Sequence, residues 1–194
     1  MRRVKKVLAV LLMVSCLLVS EITVSARAAV TKVTDVNNYK NGKQSMVIYG
    51  KTRKGKNVWK YKSKSYTATE LSAVSYKVWK NRVYIVEGKT LTILNKQTGK
   101  ALLKRKRVFS QNMGSAVMYI DKGGNLYTTG YYGDVVYKIS PKGKVLWKRT
   151  VSSSCYWPTK IRISGNRLVV YYDGYRAPDA VLNKKSGKLI NYRR

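Results

Sequence analysis

Beyond about residue 30 the apolar positions of this chain never hold a helical period. They come in short runs of Val, Ile, Leu and Tyr, separated by clusters of Gly, Asn, Asp and Lys. Runs of this length, rich in β-branched and aromatic residues and bounded by turn formers, read as strands. Examples are residues 81–86, 124–129 and 165–170, each opening on an Asn or Gly-Asn turn. A second run follows each of these at 90–94, 135–139 and 180–182, and another precedes it at 71–76, 116–120 and 160–163.

The runs repeat. Glycines at 55, 99, 143 and 187 each introduce a further strand, in the segments 54–60, 98–104, 142–148 and 186–192, and each step between them is 44 residues. The pattern therefore predicts an all-β chain of about four units, 30–63, 64–107, 108–151 and 152–194, each of four antiparallel strands A to D. Helical solenoids share this repeat length, but four short strands every 40 to 45 residues is the arithmetic of a propeller blade. The first unit departs from it. Counting back one period places its strands A and B at about residues 27–43, where only 30–36 reads as a strand and 37–43 reads as a turn. The first blade is expected to be one strand short. An open or incomplete ring follows, with partly apolar end faces near 30–36 and 167–172.

The segments Leu94-Asn95-Lys96-Gln97-Thr98-Gly99-Lys100 and Ile139-Ser140-Pro141-Lys142-Gly143-Lys144-Val145-Leu146-Trp147-Lys148 resemble the pyrroloquinoline-quinone-like (PQQ-like) propeller repeat, over nearly all of residues 40–194. The resemblance implies that Trp59 and Trp147, on strand D, dock against the neighbouring blade. Leu103 and Asn191 depart from the pattern, which implies weaker docking there. It does not imply quinone chemistry. The quinone enzymes use a larger propeller, a calcium ion and adjacent cysteines, whereas short repeats of this type are implied to be binding or scaffolding platforms. No cofactor is expected.

Ahead of the repeats, Arg2, Arg3, Lys5 and Lys6 precede an apolar run over 7–20 and a small-residue site at Ala26-Arg27-Ala28. This reads as a signal peptide over 1–28, leaving a repeat domain at 29–194 that is secreted or held at the cell surface. A second reading takes Met13-Val14-Ser15-Cys16 as a lipobox, with Cys16 acylated and the protein membrane-anchored. Without the leader, Cys155 is the only cysteine, so no internal disulfide is expected. No later apolar run has spanning length. Charge narrows the partners. The chain has 40 Lys and Arg against 8 Asp and Glu, a formal +32, and such a field collects polyanions in a salt-dependent way. Part of it has a structural use, because Lys56, Lys60, Lys100, Lys104, Lys144, Lys148 and Lys188 flank outer strands and oppose edge-to-edge aggregation.

Candidate chemistry is sparse. There is no histidine, which removes the commonest general base and metal ligand. Asp134 and Asp173 fall on or near B-to-C turns, where Asp is an ordinary turn former, and a carbohydrate-active pair is a remote reading. No nucleophile motif, metal cluster or phosphate loop is present, so no enzyme and no metal site is expected. Strand alternation collects aromatics on the side of the D-to-A and B-to-C connections: Tyr131 and Tyr132, Tyr156 and Trp157, Tyr175 and Arg176. These suit stacking on sugar rings or bases, although Tyr, with 16 copies, is also simply the favoured strand residue here. The function expected is a non-catalytic extracellular platform for an anionic cell-envelope polymer or polysaccharide. The alternative is a protein-assembly module, pairing with other blades, a second copy or a partner protein. No specific nucleic-acid partner is expected.

Overall fold

The structure, a computed structural model, describes residues 28–67, 74–130, 134–151, 157–174 and 177–193. Among these there is no helix. The strands form four antiparallel meanders. The first holds β1 (Lys32–Lys40), β2 (Lys43–Lys51) and β3 (Asn57–Lys62), with the two-residue β4 (Tyr66–Thr67) pairing back onto β2. The second runs β5 (Val74–Trp79), β6 (Arg82–Glu87), β7 (Thr90–Asn95), β8 (Ala101–Arg105); the third β9 (Val117–Ile120), β10 (Leu126–Thr129), β11 (Val135–Ile139), β12 (Val145–Thr150). The fourth runs β13 (Trp157–Ser164), β14 (Arg167–Asp173), β15 (Asp179–Asn183), β16 (Leu189–Arg193). These are propeller blades, and the first lacks a full fourth strand.

The first hairpin differs from the sequence expectation. Residues 37–40 continue β1 instead of turning, because the reversal is compressed into Asn41-Gly42, both in the left-handed region at φ 50° and 67°. An Asn-Gly pair in that conformation makes a two-residue hairpin turn, so pairing extends out to Lys40 opposite Lys43. The asparagines at 37 and 38 are strand residues opposite Met46 and Ser45.

Three apolar clusters lie between successive blades. One joins Met46 and Ile48 to Val83, Ile85 and Leu94. The next joins Tyr84, Leu91 and Ile93 to Met118, Leu126 and Ile139. The third joins Tyr127 and Val136 to Ile161, Leu168 and Leu182. Middle strands are thus covered on both faces, which is why β6 and β7 are near-continuous apolar runs, buried over 83–87 and 91–94. Outer strands β8, β12 and β16 are mostly exposed and Lys- or Arg-bearing.

A register shift recurs at one place in every blade, between the third and outermost strands: at Gly50/Lys51, Ile93/Leu94, Lys138/Ile139 and Val181/Leu182. Such a bulge re-aims the residues beyond it. In the third blade Val145, before the shift, packs back into the cluster shared with the second blade, whereas Trp147, after it, packs forward against the fourth. Among the described residues no apolar cluster joins the first blade to the fourth, and the four blades form an open arc.

The two end faces contrast. On the first blade, Val36 is 48% exposed. Val30, however, is buried and clamped, its amide donating to Gln97 Oε1 at 2.7 Å and its carbonyl accepting from Gln97 Nε2 at 3.2 Å. At the other end the face is partly apolar, with Val169 and Tyr171 half-buried on it and Ile190 50% exposed. Leu168, Val170 and Tyr172 turn inward to the third cluster. Outside, Tyr171 lies under Arg162 and Arg193, at 5.9 and 5.1 Å from its ring centre, and Arg193 pairs with Asp179 at 3.2 Å. A terminal repeat needs polar groups of this kind on its outer face.

Candidate functional site

The blade junctions set where loops can converge. The Trp59 ring stands over two glycines. It lies across Gly50, its register partner in β2, and reaches Gly99 in the next blade, where an added Cβ would fall 2.5 Å from Trp59 Cγ. Its Nε1 donates to the Lys96 carbonyl at 2.7 Å. Trp147 repeats this one blade pair later. It covers Gly187, where an added Cβ would fall 2.6 Å from Cδ2, and donates to the Lys184 carbonyl at 3.2 Å. Leu103 occupies the corresponding seat over Gly143 through van der Waals contact alone. Gly55 is the equivalent residue of the first blade, and a Cβ there would meet no described atom within 4 Å.

Of the loop aromatics singled out in the sequence, Tyr131, Tyr132, Tyr156, Tyr175 and Arg176 lie outside the described residues. Trp157 lies within them, and its placement differs from the expectation. It is the first residue of β13, opposite Asp173, instead of part of a connection, and the residue is 55% exposed. The strand starts early because Pro158 opposite Tyr172 and a register shift before Lys160 extend the pairing. Asp134 and Asp173 stand on different blades. Asp134 accepts from Gln111 Nε2 at 3.0 Å, and its carbonyl accepts the Val151 amide at 2.6 Å.

A convergent site lies elsewhere on that same side of the blades. A cleft of about 510 Å³ opens where the connections after β3 and β8 meet the turn between β6 and β7. Its rim carries Lys62, Lys64, Lys89, Lys104, Lys106 and Arg107, all exposed, and its wall carries Tyr61 and Tyr66. The connection after β8 is laced to the turn by main-chain bonds: Val108 to the Lys89 carbonyl at 2.9 Å and Met113 to the Gly88 carbonyl at 3.1 Å. Below, Phe109 stacks edge-on against Tyr137 at 5.1 Å, and the Tyr137 hydroxyl meets Ser110. Lys89, Lys106 and Arg107 are therefore carried on a braced turn and connection, and Lys62 and Lys104 on strands β3 and β8.

At the floor of the cleft is Glu87, 9% exposed. Its carboxylate accepts a short hydrogen bond from the Tyr61 hydroxyl, the Lys64 amide at 2.7 Å and the Tyr66 hydroxyl at 3.0 Å. These bonds spend its acceptor capacity on the walls. Burial, and after it the hydrogen bond to Glu87, pushes the Tyr61 phenol well above its ordinary range, so Tyr61 stays a neutral donor. Six cations thus face one internally satisfied carboxylate, and the cleft presents a positive rim over phenol rings. It can hold anionic groups by charge and rings by stacking. Among the described residues no group of three or more His, Cys, Asp or Glu could hold a metal ion. Sequence reasoning missed this cleft. The run Lys104-Arg105-Lys106-Arg107 was visible, but its convergence with Lys62, Lys64 and Lys89 depends on how the second blade packs on the first.

A second hollow, of about 740 Å³, lies on the outward face of the first blade, lined by Lys40, Lys43, Lys60 and Lys62 around Ser45, Val47 and Tyr49.

No protein-family model and no curated protein matches the chain. Solved structures do. A catalytically inactive virginiamycin B lyase from Staphylococcus aureus, solved with quinupristin, superposes with TM-score 0.55 at 14% identity, over 84% of this chain and 60% of that one. The Neurospora crassa Pan2 WD40 domain gives 0.54 at 10% identity, over 89% and 52%. A Bacteroides caccae protein of unknown function gives 0.50 at 16%, over 79% and 57%. The chain spans between half and three fifths of the length of these structures. At such identities they speak for the fold alone, and that fold is the β-propeller.

Proposed function

We propose that the protein is a non-catalytic, exported platform that holds an anionic cell-envelope polymer or polysaccharide, with the cleft at Glu87 as its main seat. The single observation behind this reading is the rim of Lys62, Lys64, Lys89, Lys104, Lys106 and Arg107, set on strand ends and connections over Tyr61 and Tyr66 with Glu87 bonded to the walls. Mixed charges would keep a surface soluble. A rim of one sign with no exposed counter-charge instead concentrates polyanions. Export rests on the leader-like residues 1–28, and the PQQ-like type of blade rests on the Thr98-Gly99-Lys100 turn under Trp59.

Calorimetric titration with a poly(glycerol phosphate) polymer tests the reading. Binding should weaken steeply as salt rises, and joint replacement of Lys89, Lys104 and Lys106 by Ala should reduce affinity at least about tenfold. Absent or salt-independent binding would dispose of it. One observation favours assembly with a protein partner instead: the unfilled seat at Gly55. Self-pairing of blade ends is opposed by charge, since both end faces carry cations.

A further inference from the structure

We infer that the anionic ligand is a linear polymer that lies along the outward face of the first blade over Lys60, Lys62, Lys43 and Lys40, and that passes into the cleft at Lys62. This deepens the reading above and rests on it.

Lys62 lines both the cleft and the hollow on the first blade, so the two basic surfaces are continuous through one side chain. Cross-strand pairs share a face of a sheet. The register therefore puts Lys40 with Lys43, Asn38 with Ser45, Val36 with Val47 and Thr34 with Tyr49 on one face, and adds Lys62 opposite Val47 and Lys60 opposite Tyr49. Every strand residue of this face is neutral or basic. The acid of β1, Asp35, points the other way, where it accepts from the Tyr76 hydroxyl of the second blade at 2.9 Å. Same-face residues along one strand recur about every 6.8 Å, so the file runs from Lys60 through Lys62 and past Ser45 and Asn38 to Lys43 and Lys40 at the open hairpin, with Lys62 between the two ends. Beside Lys60 and Lys62, Tyr49 and the half-exposed Val36 give a chain of sugar or polyol units an apolar bed.

Among the described residues nothing covers the seat of this face at Gly55. In the other three blades the seat at this position is filled by Trp59, Leu103 or Trp147 of the blade before. A second copy of the chain would have to bring up its fourth blade, whose outer face presents Arg162 and Arg193 around Tyr171 with Asp179 already paired. Like charges set against each other oppose that union. A flexible polyanion fits both the charge and the path.

Inorganic polyphosphate separates the two surfaces. Tripolyphosphate is short enough to occupy the cleft alone, whereas long-chain polyphosphate can follow the whole track. The protein carrying Lys40→Ala, Lys43→Ala and Lys60→Ala should bind tripolyphosphate as the parent does. Its affinity for the long chain should fall about 100-fold at low salt, and the slope of log K against log salt should lose about 2, at roughly 0.7 for each contact. These lysines are exposed, so the urea midpoint should hold and show that folding is intact. Unchanged long-chain binding in the triple variant overturns the inference while leaving the cleft standing. An equal loss for both probes also overturns it. If neither probe binds the parent protein, the reading of the cleft itself falls. Concentration-dependent dimers in light scattering, abolished by the same substitutions, would assign the face to a second copy and overturn the polymer path.

Discussion

Glu87 carries a stabilising role that a net-charge argument alone would miss. Its carboxylate ties the Tyr61 and Tyr66 hydroxyls and the Lys64 amide into one node beneath a cationic rim. Glu87→Ala removes the shared acceptor of these three bonds at a largely buried position, and hydrogen bonds to a charged acceptor are the stronger kind. We expect a loss of about 2–4 kcal/mol in urea unfolding, with polyanion affinity unchanged or raised, because a negative charge leaves the cleft. A variant that unfolds at the parent's urea midpoint would refute the role. Tyr76 gives a pH prediction. Burial, and after it the hydrogen bond to Asp35, raises its phenol to about 12 from an ordinary 10.0. The folded state thus holds this proton more tightly than the unfolded chain. The associated stability is fully present below about pH 10 and is lost as pH rises towards 12. Tyr61, Tyr127 and Tyr172 are also raised, with burial the largest cause in each. The urea midpoint should fall through that window, and Tyr76→Phe should flatten part of the fall. Parent and Tyr76→Phe profiles that superpose from pH 9 to 12, where the lysines titrate alike in both, would contradict the linkage.

At the scale of the element, the unit of construction is the bulged outer strand and the glycine turn it covers. Gly99 is held at φ 68° beneath Trp59, and Gly55 at φ 84° beneath nothing described. Left-handed backbone costs any other residue about 1–2 kcal/mol. Gly55→Ala should therefore lose about that much. Gly99→Ala must also displace an indole, and overpacking adds about 1–3 kcal/mol. Equal urea midpoints for the two variants would show that Trp59 yields freely and does not fix the junction. The 44-residue period was legible because the turn at Gly55, Gly99, Gly143 and Gly187 is left-handed in every blade, which favours glycine. A second period was also present and is plain only once the turns are seen. In the second and fourth blades, Asn95 and Asn183 accept two amides each inside the turn, from Gln97 and Thr98 and from Lys185 and Ser186. In the first and third blades the Thr52 and Ser140 hydroxyls accept one each, from Lys56 and Lys144. Trp59 and Trp147 are the indoles of the first and third, and they donate to Lys96 and Lys184 in the turns of the second and fourth. Leu103 and Asn191 are accordingly the even-blade residues of an alternating pattern. The extent of β1 was not legible, since Asn37 and Asn38 are turn formers by composition. Their pairing is imposed by the Asn41-Gly42 reversal and the strand opposite.

At the scale of the whole molecule, self-repulsion governs. With 40 basic and 8 acidic residues, and with Arg193–Asp179 as the salt bridge among the described residues, the folded chain has few attractive pairs for salt to weaken and many repulsions for it to screen. This inventory was legible in the sequence, whereas the path of the charge was not, because it depends on which face of β2 looks outward and on Lys62 standing where two surfaces meet. The sign of the salt response follows. High net charge opposes the compact state, and the screening length falls from about 30 Å at 0.01 M salt to about 10 Å at 0.1 M. Added sodium chloride should therefore raise the urea midpoint over that range, contrary to the usual behaviour of a protein held by surface ion pairs. A polyanion should raise it too, by binding the native state, but its effect should shrink as salt increases, since salt competes for the same cations. The two additions thus oppose each other. Measured together, salt alone should stabilise, polyphosphate at low salt should stabilise more, and the difference should close at high salt. A midpoint that falls with salt in the absence of ligand would mean that attractive pairs, and not repulsion along the Lys40 to Arg107 track, dominate the charge energetics of the fold.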